Sequence, residues 1–239
     1  MSRKILPVAF LIVLLSPTDN RTCAQVIGAQ DEDRILAQMQ LENVKIEAQS
    51  IGQLFSHLSL VYNVPMGVEA ALNDDESAIY HLNFKNVTLS DLLTAFVSDH
   101  REYSWQIKHG VVKVFPRESH RDAVLDKLLD LEISSFVVAK NTSCSDLAKS
   151  LVATPEGKRL LKDNKQSYRE RNFTGFYFPQ VGRQFTLRAS NETLESILNR
   201  VIRESPSAKF WLVTMNGYDR TILLFLNARQ EAVSRDSIK

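Results

Sequence analysis

The chain has 239 residues, of which 44% are hydrophobic and 24% charged, with 29 Lys and Arg against 28 Asp and Glu. This composition excludes disordered, collagen-like and disulfide-stapled classes, and a formal charge of +1 lacks the basic excess of an electrostatic nucleic-acid binder. The length suits one large domain or two small ones, each able to bury a core.

Ser2-Arg3-Lys4 precedes an apolar run from Ile5 to Leu15, interrupted by Pro7. The run is too short to cross a bilayer as a helix but fits the hydrophobic region of a signal peptide. A polar stretch leads to Thr22-Cys23-Ala24, so cleavage is expected after Ala24, and an uncleaved anchor is the competing reading. Loss of residues 1–24 removes Arg3, Lys4 and Arg21 against Asp19, lowers the charge by two to −1, and leaves Cys144 as the single thiol. No second apolar segment of spanning length follows, so no transmembrane segment is expected after signal removal, and the location is periplasmic or secreted.

Residues 25–41 are expected as a helical lead-in, from the pattern of Asp31 to Leu41. Beyond them one pattern occurs four times: Ser or Thr, apolar, any, polar, apolar. It reads Ser50-Ile51-Gly52-Gln53-Leu54, Thr88-Leu89-Ser90-Asp91-Leu92, Ser143-Cys144-Ser145-Asp146-Leu147 and Thr193-Leu194-Glu195-Ser196-Ile197. A hydroxyl at the N-cap accepts a backbone N–H, and the apolar residues at cap+1 and cap+4 open a buried helix face. Alternating or dense apolar segments lie between: Val44/Ile46/Ala48, Tyr80/Leu82/Phe84, Tyr103/Trp105/Ile107 and, after His109-Gly110, Val111 to Phe115. In the second half they are Phe136-Val137-Val138, Phe185/Leu187/Ala189, Phe210 to Met215 and, after Asn216-Gly217, Ile222 to Leu226.

Both halves therefore read β-α-β-α-β-β. Leu82/Leu187, Asn86/Asn191, Thr88/Thr193, Leu89/Leu194 and Leu93/Leu198 match at a spacing of 105, and Ile51/Cys144, Leu54/Leu147 and Leu58/Leu151 at 93. The difference is an insertion within residues 154–184. The sequence predicts an α+β fold of two tandem small β-α-β-α-β-β domains, 42–117 and 132–228, with a helical connector at 118–131 and a tail at 229–239.

Five segments carry a resemblance: Asn43-Val44-Lys45-Ile46, the Ser50 cap pattern, Val64-Pro65-Met66-Gly67-Val68, Leu82-Asn83-Phe84-Lys85-Asn86-Val87-Thr88-Leu89, and Gly110-Val111-Val112-Lys113-Val114. Val44 to Phe115 is similar to the short N-terminal (STN) domain of secretins and TonB-dependent receptors, and the second half resembles that family through the first. The resemblance implies a periplasmic, non-enzymatic protein-interaction module without catalytic residues or cofactors. Its partner would be an envelope regulator or a secretion or receptor component. The alternative is a structural accessory of a secretin or pilus-type assembly. The chain carries neither the plug and barrel of a receptor nor the pore domain of a secretin.

The residues themselves offer no reaction. Nucleophile elbows, HExxH helices, CxxC pairs and Walker loops are absent, and His57, His81 and His109 lack metal-ligand partners at i+3 or i+4, so neither catalytic nor metal residues are assigned. Cys144 occupies an apolar cap+1 slot and reads as a small buried hydrophobe. Asp74-Asp75-Glu76 reads as a solvated turn, and the sequons at Asn86, Asn141 and Asn191 as cap-flanking residues. The insertion is the candidate binding segment: Lys158, Arg159, Lys162, Lys165, Arg169, Arg171 and Arg183 interleave with Tyr168, Phe173, Phe176, Tyr177 and Phe178. Such a mixture suits the stacking of bases or sugars or an acidic partner, and the expected location argues against nucleic acid. The structural alternative is a helix extended to about Lys165, followed by aromatics packed on the second domain.

Overall fold

The computed structural model describes residues 20–71, 79–168, 185–216 and 221–228. The first half runs α1 (Asn20–Ala37), β1 (Gln40–Leu41), β2 (Val44–Ala48), α2 (Ile51–Tyr62), β3 (Met66–Glu69), β4 (Tyr80–Phe84), β5 (Val87–Thr88), α3 (Leu89–Asp99), β6 (Tyr103–Lys108) and β7 (Val111–Pro116). The second runs α4 (Ala123–Leu129), β8 (Glu132–Ile133), β9 (Phe136–Val138), α5 (Cys144–Val152), α6 (Pro155–Asp163), β10 (Ser167–Tyr168), β11 (Leu187–Ala189), β12 (Glu192–Thr193), α7 (Leu194–Glu204), β13 (Ala208–Met215) and β14 (Thr221–Ala228). The chain is α+β; the expected strands and helices are present, but the order is not the simple β-α-β-α-β-β, because β1, β3 and β5 are added in the first half and β8, β10, β12 and α6 in the second.

Boundaries differ from the sequence reading in several places, and the lead-in helix already starts at Asn20 rather than at residue 25. The lead-in helix ends at Ala37 rather than Leu41, because Gln40 and Leu41 pair with Thr88 and Val87 and bury Leu41 completely. The connector helix ends at Leu129, where Glu132-Ile133 begins the matching short pairing with Glu192-Thr193. The insertion does not prolong α5. The Thr154 hydroxyl accepts from the Gly157 amide, and Pro155 occupies the first turn, so a separate helix starts there.

The two halves share one mixed sheet of six strands, in the order β10-β14-β13-β3-β7-β6. In the first half β3 lies parallel to β7 and β7 antiparallel to β6. In the second, β10 lies parallel to β14 and β14 antiparallel to β13. The seam is a parallel pairing of β3 with β13, Phe210 opposite Met66 and Val213 opposite Glu69. The expected domains 42–117 and 132–228 are thus joined through the sheet as well as through the connector.

Alternation along the strands decides which half each face serves. Phe210 belongs to the core of the first half, with Leu212 and Phe225 against it, whereas Trp211, Val213, Ile222, Leu224 and Leu226 belong to the core of the second. Along β7, Val112 and Val114 face the first-half core and Val111 the second. Helices α2 and α3 therefore cover one face of the sheet, and α4, α5 and α7 the other. A sheet covered on both faces explains why its central strands read as dense apolar runs rather than strict alternation.

Candidate interaction surfaces

The basic-aromatic segment is only partly within the described residues. Lys158, Arg159 and Lys162 project from α6 and are exposed, while Leu160 and Leu161 of the same helix pack against the second-half core. Lys165 is exposed in a left-handed turn with φ 54°. Tyr168 belongs to β10, beside Ile222, and packs on the second-half core. Arg169, Arg171, Phe173, Phe176, Tyr177, Phe178 and Arg183 lie outside the described residues, as do Asp74-Asp75-Glu76. The described part thus presents four exposed cations, and its one aromatic is turned to packing.

Among the described residues, β6 ends the six-stranded sheet with α1 in contact with it, and β9 pairs with β11 alone. Arg117 donates its backbone N–H to the Glu102 carbonyl, so even positions of β6 bond to β7 and Trp105 and Ile107 direct their main-chain groups outward. Asn191 donates to the Ser134 carbonyl, so positions 134, 136 and 138 face β11, and Val137 directs its N–H and C=O away from it. The Val137 side chain is 59% exposed. Between β9 and α5 lies a cleft of about 280 Å³ lined by Val137, Lys140, Thr142, Asp146 and Ser150, with no residue of β11 in its wall. A second cleft, of about 490 Å³, lies beside Phe115, Arg117, Arg121 and Asp126. Its two arginines are tethered, Arg117 Nε to the Tyr103 carbonyl and Arg121 Nε to the Pro116 carbonyl.

The other singled-out residues fall into place simply. Cys144 is buried, and burial pushes its thiol up to about 12. His57 and His81 are exposed, and His109 forms the left-handed turn between β6 and β7. Among the described residues no cluster of three His, Cys, Asp or Glu side chains could hold a metal, and no helix is long and apolar enough to cross a membrane.

Sequence reasoning missed Glu69. It closes β3 at the seam between the halves, is 1% exposed, and neither carboxylate oxygen has a hydrogen-bond partner among the described residues. Burial lifts its carboxyl from 4.5 to about 7, against the opposing pull of Lys113. Lys113 is itself bonded across the seam to Glu195 at 2.6 Å. An acid directly after the apolar run Val64 to Val68 was the available signal, but it names no partner.

No protein-family model matches the chain, and no curated protein or solved structure matches it either.

Proposed function

We propose that the chain is an exported, non-enzymatic protein-interaction module of the STN type, built as two such units in tandem, and that it binds its partner by strand addition. The observation that supports this most directly is the edge of β9 that no strand among the described residues pairs. Its outward main-chain groups at Val137 lie beside a cleft walled by α5, the arrangement in which an added strand gains ladder hydrogen bonds and side-chain pockets together. The recurrence of strand order, pairing and helix caps in both halves supports the tandem reading. The partner in this reading is an envelope regulator or a secretion or receptor component.

Val137→Pro tests the mode of binding. Proline at an outward position costs no existing ladder bond but removes the N–H that an incoming strand would use. Immobilised wild-type protein is expected to retain a partner from periplasmic extract, and V137P to lose it at an unchanged melting temperature. Retention by both proteins would refute the edge. A protein that captures nothing and instead self-associates in light scattering would replace the module with a structural ring component.

A further inference from the structure

The seam between the halves contains a device that the binding role does not use. Met66 and Val68 point into the first-half core, so Gly67 and Glu69 point toward the second half, where Gly67 meets the Trp211 ring. The charged groups acting on Glu69 are Lys113 from β7, Glu195 from the first turn of α7, Asp126 from α4, and Arg121 just before α4. Beside it, β13 brings Trp211 and Val213, and its one cation, Lys209, donates Nζ to the Ile202 and Ser205 carbonyls at the far end of the strand. On the opposite face α2 carries His57 and α3 carries Asp91 and Asp99, all three exposed to solvent.

Neither cation is committed to Glu69. Arg121 donates Nε to the Pro116 carbonyl, lies 3.6 Å from Asp126, and stacks over the Phe115 ring at 5.1 Å. Lys113 bonds Glu195 at 2.6 Å, with only 12% and 23% of the two side chains exposed. That bond ties β7 of the first half to α7 of the second. Lys113 sits opposite Gly67 in the parallel pairing, so Glu69 is its diagonal neighbour on the same face, within the span of a lysine side chain.

We propose that Lys113 is a shared cation that clasps the two halves through Glu195 while Glu69 holds its proton, and turns back to Glu69 when that proton leaves. A buried carboxylate with no donor is unstable once ionised, and Lys113 is the cation that acts most strongly on it. Recruiting Lys113 satisfies Glu69 but releases Glu195, so α7 loses its tie to β7 while the β3–β13 pairing persists. The carboxyl value of about 7 places the exchange between mildly acidic and mildly alkaline conditions.

The sign follows from linkage. The unfolded chain releases this proton near 4.5 and the folded chain near 7, so between those values the folded state binds more protons. The stability contributed by neutral Glu69 is complete below 4.5, falls as pH rises, and is gone above about 7. At tenfold per pH unit the folding equilibrium changes by about 300-fold across the window.

Carbon-13 NMR of the glutamate carboxyls, with the Glu69 resonance assigned by its absence from Glu69→Gln, tests the first half of the proposal in the wild-type protein. A midpoint near 7 is expected, and a midpoint near 4.5 overturns it. Amide exchange along α7, corrected for intrinsic rates, tests the second half. Protection should fall through the same midpoint in wild type, stay high at every pH in E69Q, and be low throughout in Glu195→Gln. Should E69Q fail to fold, the amide-exchange comparison of wild type with E195Q across pH still decides. Exchange in α7 that ignores pH in wild type, or that matches between wild type and E195Q below the midpoint, overturns the clasp.

Discussion

Cys144 shows two residue-scale forces in opposition. It follows the cap Ser143 as the first residue of α5, where a helix N-terminus favours a thiolate. It is also 1% exposed, and burial wins, raising the thiol from 9.0 to about 12. Iodoacetamide at mildly alkaline pH should leave Cys144 of the folded protein unlabelled, as read by peptide mapping that separates it from Cys23, and modify it only at the rate of unfolding; rapid labelling of Cys144 in the native state would mean that α5 is not packed as described. The slot itself was legible in the sequence, because Ile51, Leu89 and Leu194 hold the same position after the other three caps. Glu69 was not legible in this way. Its role depends on Lys113 and Glu195, residues of another strand and another half, and no local pattern states that register.

At the scale of elements, caps were the most readable feature. Ser50, Thr88, Ser143 and Thr193 each accept from the amide three residues on, Gln53, Asp91, Asp146 and Ser196, at 3.0–3.2 Å. The reciprocal arm differs from the usual capping box. Asp91 and Asp146 accept the cap hydroxyls at 2.7 Å, and Gln53 accepts the Gln49 amide instead of that of Ser50. Thr88→Ala and Thr193→Ala should each cost about 1 kcal/mol in urea denaturation, with Thr→Ser nearly neutral at either position. Losses no greater than those of an exposed surface substitution would deny the caps their part in starting α3 and α7. The pairings β1–β5 and β8–β12 stayed hidden because two residues carry no period, and α6 because its inward face consists of the buried Gly157 and the partly buried Leu160 and Leu161.

The whole molecule turns on the seam, which no local pattern predicts because it pairs strands from opposite halves. Gly67 is the position at which that pairing is most exacting. A Cβ there would lie 2.2 Å from two atoms of the Trp211 ring, which is fully buried. The ring cannot slide away without cost, because Trp211 Nε1 donates to Asn199 Oδ1 at 2.9 Å. At Gly52 the corresponding contact is the tip of Leu212, at 2.5 Å, which can move to another rotamer. Gly67→Ala should therefore destabilise the protein by about 1–3 kcal/mol, and Gly52→Ala by distinctly less. Since β3 and β13 belong to one sheet, the loss in G67A should lower amide protection in α3 and in α7 alike, and urea should unfold both halves in a single transition. Two separate transitions, with only the first half weakened, would mean that the halves are independent domains merely in contact. Trp211→Phe removes the ring atoms that meet the new methyl group, so in the G67A background it should cost less than in wild type. That rescue would locate the strain at the seam itself and not in the general unsuitability of alanine for β3.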